Sequence, residues 1–408
     1  MPESDRSQLP QSDYLVRLAD LAVRFGANLQ PGQILAISSE PGKEPLARAI
    51  AEAAYAQGAL FVDLAVFDPY LKRARAQNAQ RDTLSFVPPW LGQRILALGE
   101  QRCAWVALTG PTAPGLMDDI DPTLLTLDLL PAVRESSRVI NEATVNWTAV
   151  PCPTLAWAPL VYPQLDPPAA LTRLWEELGH ICRLDEEDPI AAWDDRLANL
   201  VEMAEKLDDL RLDALRFHGP GTDLTIGLLP SSRWDSARFA TVDGIVHTAN
   251  IPTEEVFTTP DPERVNGVVT ATKPLFTSGT TISGLKVSFE DGRAVRFEAD
   301  HGAEVLRGLS EHDEGAARLG EVALVDREGR IGPLGTVFFD TLIDENAASH
   351  IALGQGYESG VREPGDLARV NQSAIHVDFM IGGGEVAVTG VLPSGDQVPL
   401  LRGGTWQI

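Results

Sequence analysis

Residues 33–66 read QILAISSEPGKEPLARAIAEAAYAQGALFVDLAV. Gln33 to Ser38 is a short apolar run of strand length. Pro45 to Gln57 carries a helical pattern that stops at Gly58, a residue suited to the turn that ends a helix. Leu60 to Val66 is strand-like again. Strands that alternate with helices imply parallel pairing, with helices covering the faces of the sheet.

Upstream, Leu15, Leu18, Leu21, Ala22 and Phe25 recur at helical spacing within Asp13 to Phe25, and Pro31-Gly32 breaks the chain after them. Downstream, Cys103 to Leu108 reads as a third apolar strand closed by Gly110. From Leu171 to Leu207 the sequence is helical and charged, with Trp175, Leu178, Ile181 and Cys182 on one stripe. A boundary near residue 205 follows, giving residues 1–205 as an α/β domain with connecting helices and 206–408 as a second domain.

Past that point the texture changes. Leu215 to Phe217, Leu224 to Ile226 and Leu285 to Ala299 are short alternating runs, the last folded about Asp291-Gly292, a hairpin signal. Val386 to Thr389 and Gln397 to Leu401 repeat the pattern about Ser394-Gly395, while Gly302 to Leu309 reads as a helix. The expected class is therefore α/β: a parallel-type N-terminal domain followed by a strand-rich α+β domain, antiparallel or mixed.

The 408 residues exceed one ordinary core, which agrees with two domains. Acidic residues number 58 against 33 basic, a formal charge of -25, and such a field repels nucleic-acid phosphates and anionic lipid. The plain role of that charge is solubility. Cys103, Cys152 and Cys182 are odd in number, widely spaced and outside any CxxC pattern, as expected in a reducing compartment. Met1 to Pro10 is polar, and no apolar run approaches the roughly 20 residues that span a bilayer. These readings point to a cytoplasmic protein with no nucleic-acid or membrane partner.

Four segments of the C-terminal half carry candidate chemistry. In Ala374 to Gly382, His376 and Asp378 interrupt an apolar strand and share one face, being two residues apart. A carboxylate among Val, Phe, Met and Ile is costly unless a cation or charged partner relieves it, and a divalent metal accepts both ligand types. A hydrogen-bonded His-Asp pair on a sheet face fits the pattern equally well. In Asp344 to Tyr357, small residues surround His350, and Tyr357 could donate to a developing oxyanion or simply occupy a core. In Ala249 to Pro260, Glu254-Glu255 lies between Ile251-Pro252 and Val256-Phe257, where plain solvation is a weak explanation. Glu321 opens an apolar strand, as a site residue or a cap. His180, His218, His247 and His301 read as structural, and Gly219-Pro220-Gly221 and Gly382-Gly383-Gly384 as turns, since no Lys-Ser/Thr follows either.

At these residues the sequence resembles the aminopeptidase T family of metallopeptidases, peptidase family M29, which includes the aminopeptidases of the S type. The likeness takes in Ala22 to Gln33, Cys182 to Pro189, Asn250 to Pro260, Asp344 to Tyr357 and His376 to Gly382, and so runs nearly end to end. The resemblance implies removal of N-terminal amino acids from peptides by two divalent ions, zinc or cobalt, with magnesium or manganese as further candidates. It implies as metal ligands Glu321, His350, His376, Asp378 and one Glu of the Glu254-Glu255 pair, assigned here to Glu255, which leaves Glu254 as the candidate general base, and it implies Tyr357 as an active-site tyrosine. It also implies a homodimer whose N-terminal domains help to enclose the cavity. Two other functions stay open on the sequence: a metal-stabilised binding protein without turnover, and a metal hydrolase of a non-peptide amide.

Overall fold

Strand Ile34–Ser39 pairs in parallel with Phe61–Val66 on one side and with Ala104–Thr109 on the other, as the opening stretch of sequence requires. The computed structural model describes residues 11–408 apart from Thr126, Leu129, Ala132, Ser278 and Gly279; Met1 to Pro10 thus lies outside the described residues. A fourth parallel strand, Asn146–Pro151, flanks Ala104–Thr109. Sequence reading missed this strand because Asn146 and Thr148 interrupt its apolar run. Both are nonetheless buried, and the Asn146 amide donates to the Ala27 carbonyl at 2.6 Å.

Helix Glu44–Ala56 buries Leu46, Ala47, Ile50 and Ala54 along one stripe, and Gly58, at φ +94°, takes the left-handed turn that follows it. The helix expected over Asp13 to Phe25 spans Gln11–Leu21 and widens into a π-turn, Ala22–Gly26. Helices Pro167–Ile181 and Pro189–Leu210 each start with proline. The preceding Asp166 and Asp188 carboxylates accept backbone N–H groups of the first turn, which would otherwise lack partners. Position 205 lies within the second of these helices.

The C-terminal half holds two large antiparallel sheets beside two two-stranded hairpins, Leu275–Thr277 with Thr280–Ile282 and Arg238–Ala240 with Val246–Thr248. The larger has eight strands, in the order Arg293–Glu298, Lys286–Glu290, Pro260–Thr270, Thr222–Leu228, Ala214–Gly219, Ala387–Val391, Gln397–Arg402 and Thr405–Trp406. The Asp291-Gly292 and Ser394-Gly395 turns join strands as read from the sequence.

The smaller sheet runs His376–Met380, His350–Gly354, Leu319–Val325, Glu255–Thr258. Alternation splits its residues cleanly. Val256, Val322, Leu324, Ile351, Leu353, Val377 and Phe379 face the core shared with the larger sheet. Each such side chain contributes roughly 1.5–3 kcal/mol when fully buried, which holds the register of the whole sheet. The residues between them are left to face the other way.

Main-chain bonds join the two halves. The Ala149 N–H donates to the Ala249 carbonyl at 2.7 Å, and the Ile251 N–H donates to the Ala149 carbonyl at 3.0 Å. The Trp157 indole adds a buried bond to the Phe338 carbonyl at 2.6 Å. Among the described residues, no helix is long and apolar enough to cross a membrane.

Candidate metal centre

The register of the small sheet decides what its free face carries. Ala352 stands opposite both Glu321 and Asp378, Ala323 opposite His350, and Gly354 opposite His376. Directly opposed residues of antiparallel strands point to the same side, so these donors converge on one face. The residues among them are Ala or Gly, leaving the middle of the face open. Gly354 has a second reason to be glycine: at φ +105°, a Cβ there would lie 2.1 Å from the Ile375 carbonyl oxygen. Glu321 sits just after a bulge at Gly320, within the strand Leu319–Val325 rather than at its opening.

Two groups of donor atoms result, one of Glu255, Glu321 and His350, the other of Glu321, His376 and Asp378, each within 4.8 Å of one another. His350 Nε2 lies 2.9 Å from Glu255 Oε2, and His376 Nε2 lies 3.2 Å from Glu321 Oε2 and 3.4 Å from Asp378 Oδ2. The other ring nitrogens are engaged: Nδ1 of His350 donates to the Ala348 carbonyl at 3.1 Å, and Nδ1 of His376 to that of Gln355 at 2.8 Å. A carbonyl only accepts, so Nδ1 must carry the proton in each ring. In the neutral rings, the Nε2 lone pairs therefore face carboxylate oxygens. That contact is repulsive unless a proton or a metal ion lies between them, and backbone-anchored Nδ1–H groups commonly orient metal-ligating histidines.

The electrostatics agree. Burial pushes the Glu321 and Glu345 carboxyls above the ordinary range, and Asp378 reinforces both. Burial opposes charge on His350, but Glu255, Asp378 and Glu345 together outweigh it and raise the imidazole; for His376, Tyr357, Asp378 and Glu321 do the same. Asp378 is held low against burial by His376. Glu321, Glu345 and the two imidazoles thus retain protons that a divalent cation would displace. Asp378 Oδ1, buried without a hydrogen bond, is a further donor in want of a partner. The residue set fits a divalent metal.

Tyr357 joins this group, its ring 5.2 Å from that of His376. Glu254 does not. It is fully buried on the other side of its strand, bonded to Arg183 at 2.9 Å and to Arg196 at 2.6 Å, and both its oxygens are occupied. The expectation of a general base at Glu254 is corrected accordingly. Glu345 was missed. It ends the short helix Thr341–Glu345, and it lines the same cavity as the donors. His247, read as structural, lines that cavity too.

The sequence profile described as Thermophilic metalloprotease (M29) matches residues 11–406. The chain belongs to this family. Membership places it among the metallo-aminopeptidases, hydrolases that act on peptides, and implies a divalent metal, for which the two donor groups are the candidate ligands. Aminopeptidase T of Thermus thermophilus is 40% identical over 402 residues, covering 97% of this chain and 98% of the relative. Aminopeptidase 2 of Geobacillus stearothermophilus is 35% identical, covering 96% and 97%. Aminopeptidase PepS of Streptococcus thermophilus is 34% identical, covering 97% and 98%. The solved structure of wild-type AmpT from Thermus thermophilus superposes with a TM-score of 0.88 at 39% identity, over 98% of this chain and 100% of that one. The family's mixed α/β architecture, with its parallel and antiparallel sheets, is thus the one expected from the sequence.

Proposed function

We propose that this chain releases N-terminal amino acids from peptides, using two divalent cations on the free face of the small sheet. Glu255, Glu321 and His350 would hold one ion, and Glu321, His376 and Asp378 the other, with Glu321 shared. Zinc or cobalt suits this mix of imidazole and carboxylate, with magnesium or manganese as alternatives. The observation that carries the reading is the pair of Nε2 atoms aimed at carboxylate oxygens, contacts that call for a proton or a metal ion between them.

When bound, such ions polarise the scissile carbonyl and make water acidic enough to attack near neutral pH. Glu345, which lines the cavity beside the donors, would, once deprotonated, accept the proton of the attacking water and return it to the amine as the C–N bond breaks. Against the pull of His376, the Glu321, Asp378 and Glu345 carboxyls help to keep the Tyr357 hydroxyl protonated, and it would donate to the oxyanion. The surplus of carboxylates favours a substrate bearing a free ammonium beside the bond to be cut, which accounts for removal of single residues.

A homodimer and a cytoplasmic setting belong to the same proposal. Phe61, Leu64 and Val66 on the sheet's edge strand, with Tyr70, Leu71 and Trp90 on the helices that follow, are exposed apolar side chains suited to a partner subunit. Cys103, Cys152 and Cys182 are buried free thiols, in keeping with a reducing compartment.

Metal analysis of the purified chain, with aminoacyl-anilide turnover after chelation and metal add-back, tests the proposal. Two ions per chain and activity restored by zinc or cobalt are expected. Turnover indifferent to the chelator overturns the catalytic reading, and Glu321→Gln retaining both ions overturns the shared ligand.

A further inference from the structure

The donor cluster occupies one end of a cavity of about 410 Å³. From it, rings follow one another outward in tilted contact: His376 to Tyr357 at 5.2 Å, Tyr357 to Phe257 at 5.7 Å, Phe257 to Phe239 at 6.3 Å, Phe239 to His247 at 6.1 Å, and His247 to Trp147 at 6.4 Å between centroids. The spacing is that of favourable aromatic pairs. Beyond His376, four separate segments supply these rings. Phe257 comes from the donor sheet itself, Phe239 and His247 face each other across a short hairpin, and Trp147 comes from the last strand of the N-terminal sheet. Much of the remaining lining is alanine, including Ala149, Ala237 and Ala249.

We infer that this aromatic wall receives the side chain of the substrate's N-terminal residue and selects bulky apolar and aromatic residues over small or cationic ones. The inference rests on the aminopeptidase reading. An aminopeptidase has one residue on the amino side of the cut, whose ammonium must meet the carboxylates, and the wall begins beside them. Its far part holds the buried His247, only 3% exposed, and the half-buried Trp147, an apolar surface suited to one side chain. Away from the donors and Glu345, the charged residue of the lining is the exposed Glu358, so a buried lysine or arginine side chain finds no partner along the rings. Burial pulls the His247 imidazole down to about 4, with the Ile245 carbonyl acting the other way, and the ring is a neutral part of the wall.

The test uses the metal-loaded full chain and a series of aminoacyl p-nitroanilides with a common leaving group. Phenylalanyl and leucyl substrates should exceed alanyl and lysyl ones in kcat/KM by at least about tenfold. Trp147→Ala and Phe239→Ala should each shrink the phenylalanyl-to-alanyl ratio by about tenfold, while Trp147→Phe keeps most of it. Circular dichroism melts check that each variant folds; should Trp147→Ala not fold, Phe239→Ala and Trp147→Phe decide. A second series of leucyl-X dipeptides should show no change in its ranking. A flat or lysyl-favouring wild-type profile, or an effect confined to the dipeptide series, overturns the inference while leaving aminopeptidase activity standing. Loss of turnover on every substrate by the loaded wild type overturns both.

Discussion

Glu254 and Glu255 are consecutive, yet their carboxylates lie on opposite sides of a sheet: Glu255 is 2.9 Å from His350 in the donor cluster, and Glu254 is 2.6 Å from Arg196 in the protein interior. The same residue type therefore does two jobs. One carboxylate faces the chemistry, and the other anchors the strand that presents it.

Substitution should separate the two. Glu255→Gln is expected to lose turnover and at least one equivalent of metal while folding normally. Glu254→Ala takes the carboxylate from buried Arg183 and leaves buried Arg196 with Asp326 alone, and it should cost about 3–5 kcal/mol of stability in urea titrations. If Glu254→Ala is stable but inert, and Glu255→Gln active, the assignment is reversed.

Ala352 lies between Glu321 and Asp378 in the ladder, where the face must stay open. Ala352→Leu should lower metal affinity by roughly 10–100-fold, the scale seen when a ligand's surroundings are disturbed. Isothermal titration with zinc measures it. Unchanged affinity would mean that the ions do not sit on this face.

Tyr357→Phe should lower kcat by roughly 10²–10³-fold, as removal of one oxyanion donor does, with little change in KM. An equal loss in KM instead would make Tyr357 a binding group only.

The metal-free protein should lose stability as pH rises. His350 and His376 have folded-state pKa values raised above 6.5, and Glu321 and Glu345 above 4.5. A raised group binds its proton more tightly when folded. Its stabilisation is complete below the unfolded value and vanishes as pH climbs through the folded one. Asp378, held low, acts in the opposite sense at acid pH. Melting temperature of the chelated protein should therefore fall from pH 5 through neutrality, and added zinc should abolish the trend, because metal takes the protons' place. A chelated protein that gains stability over this range would contradict the cluster's geometry.

Much of this was legible in the residues themselves. Apolar runs of strand length, with Gly58 and Gly110 behind helix and strand, gave the parallel sheet, and Asp291-Gly292 gave its hairpin. His376 and Asp378 could be placed on one face because strand alternation is a local rule. What escaped depends on distant packing. Which of Glu254 and Glu255 faces inward is decided by Arg183 and Arg196, 71 and 58 positions earlier. Glu345 reaches the cavity from a short helix rather than from a donor strand. His247 has unremarkable neighbours in sequence, since the wall it joins is assembled from four segments.

The bonds that unite the halves at Ala149 run from backbone to backbone and so are indifferent to side-chain identity. The N-terminal half brings Trp147 to the cavity, and the C-terminal half brings every donor. Exchanging residues around Trp147 for those of a relative should thus transplant substrate taste without touching the hydrolytic apparatus. This seam is a natural joint for chimeras.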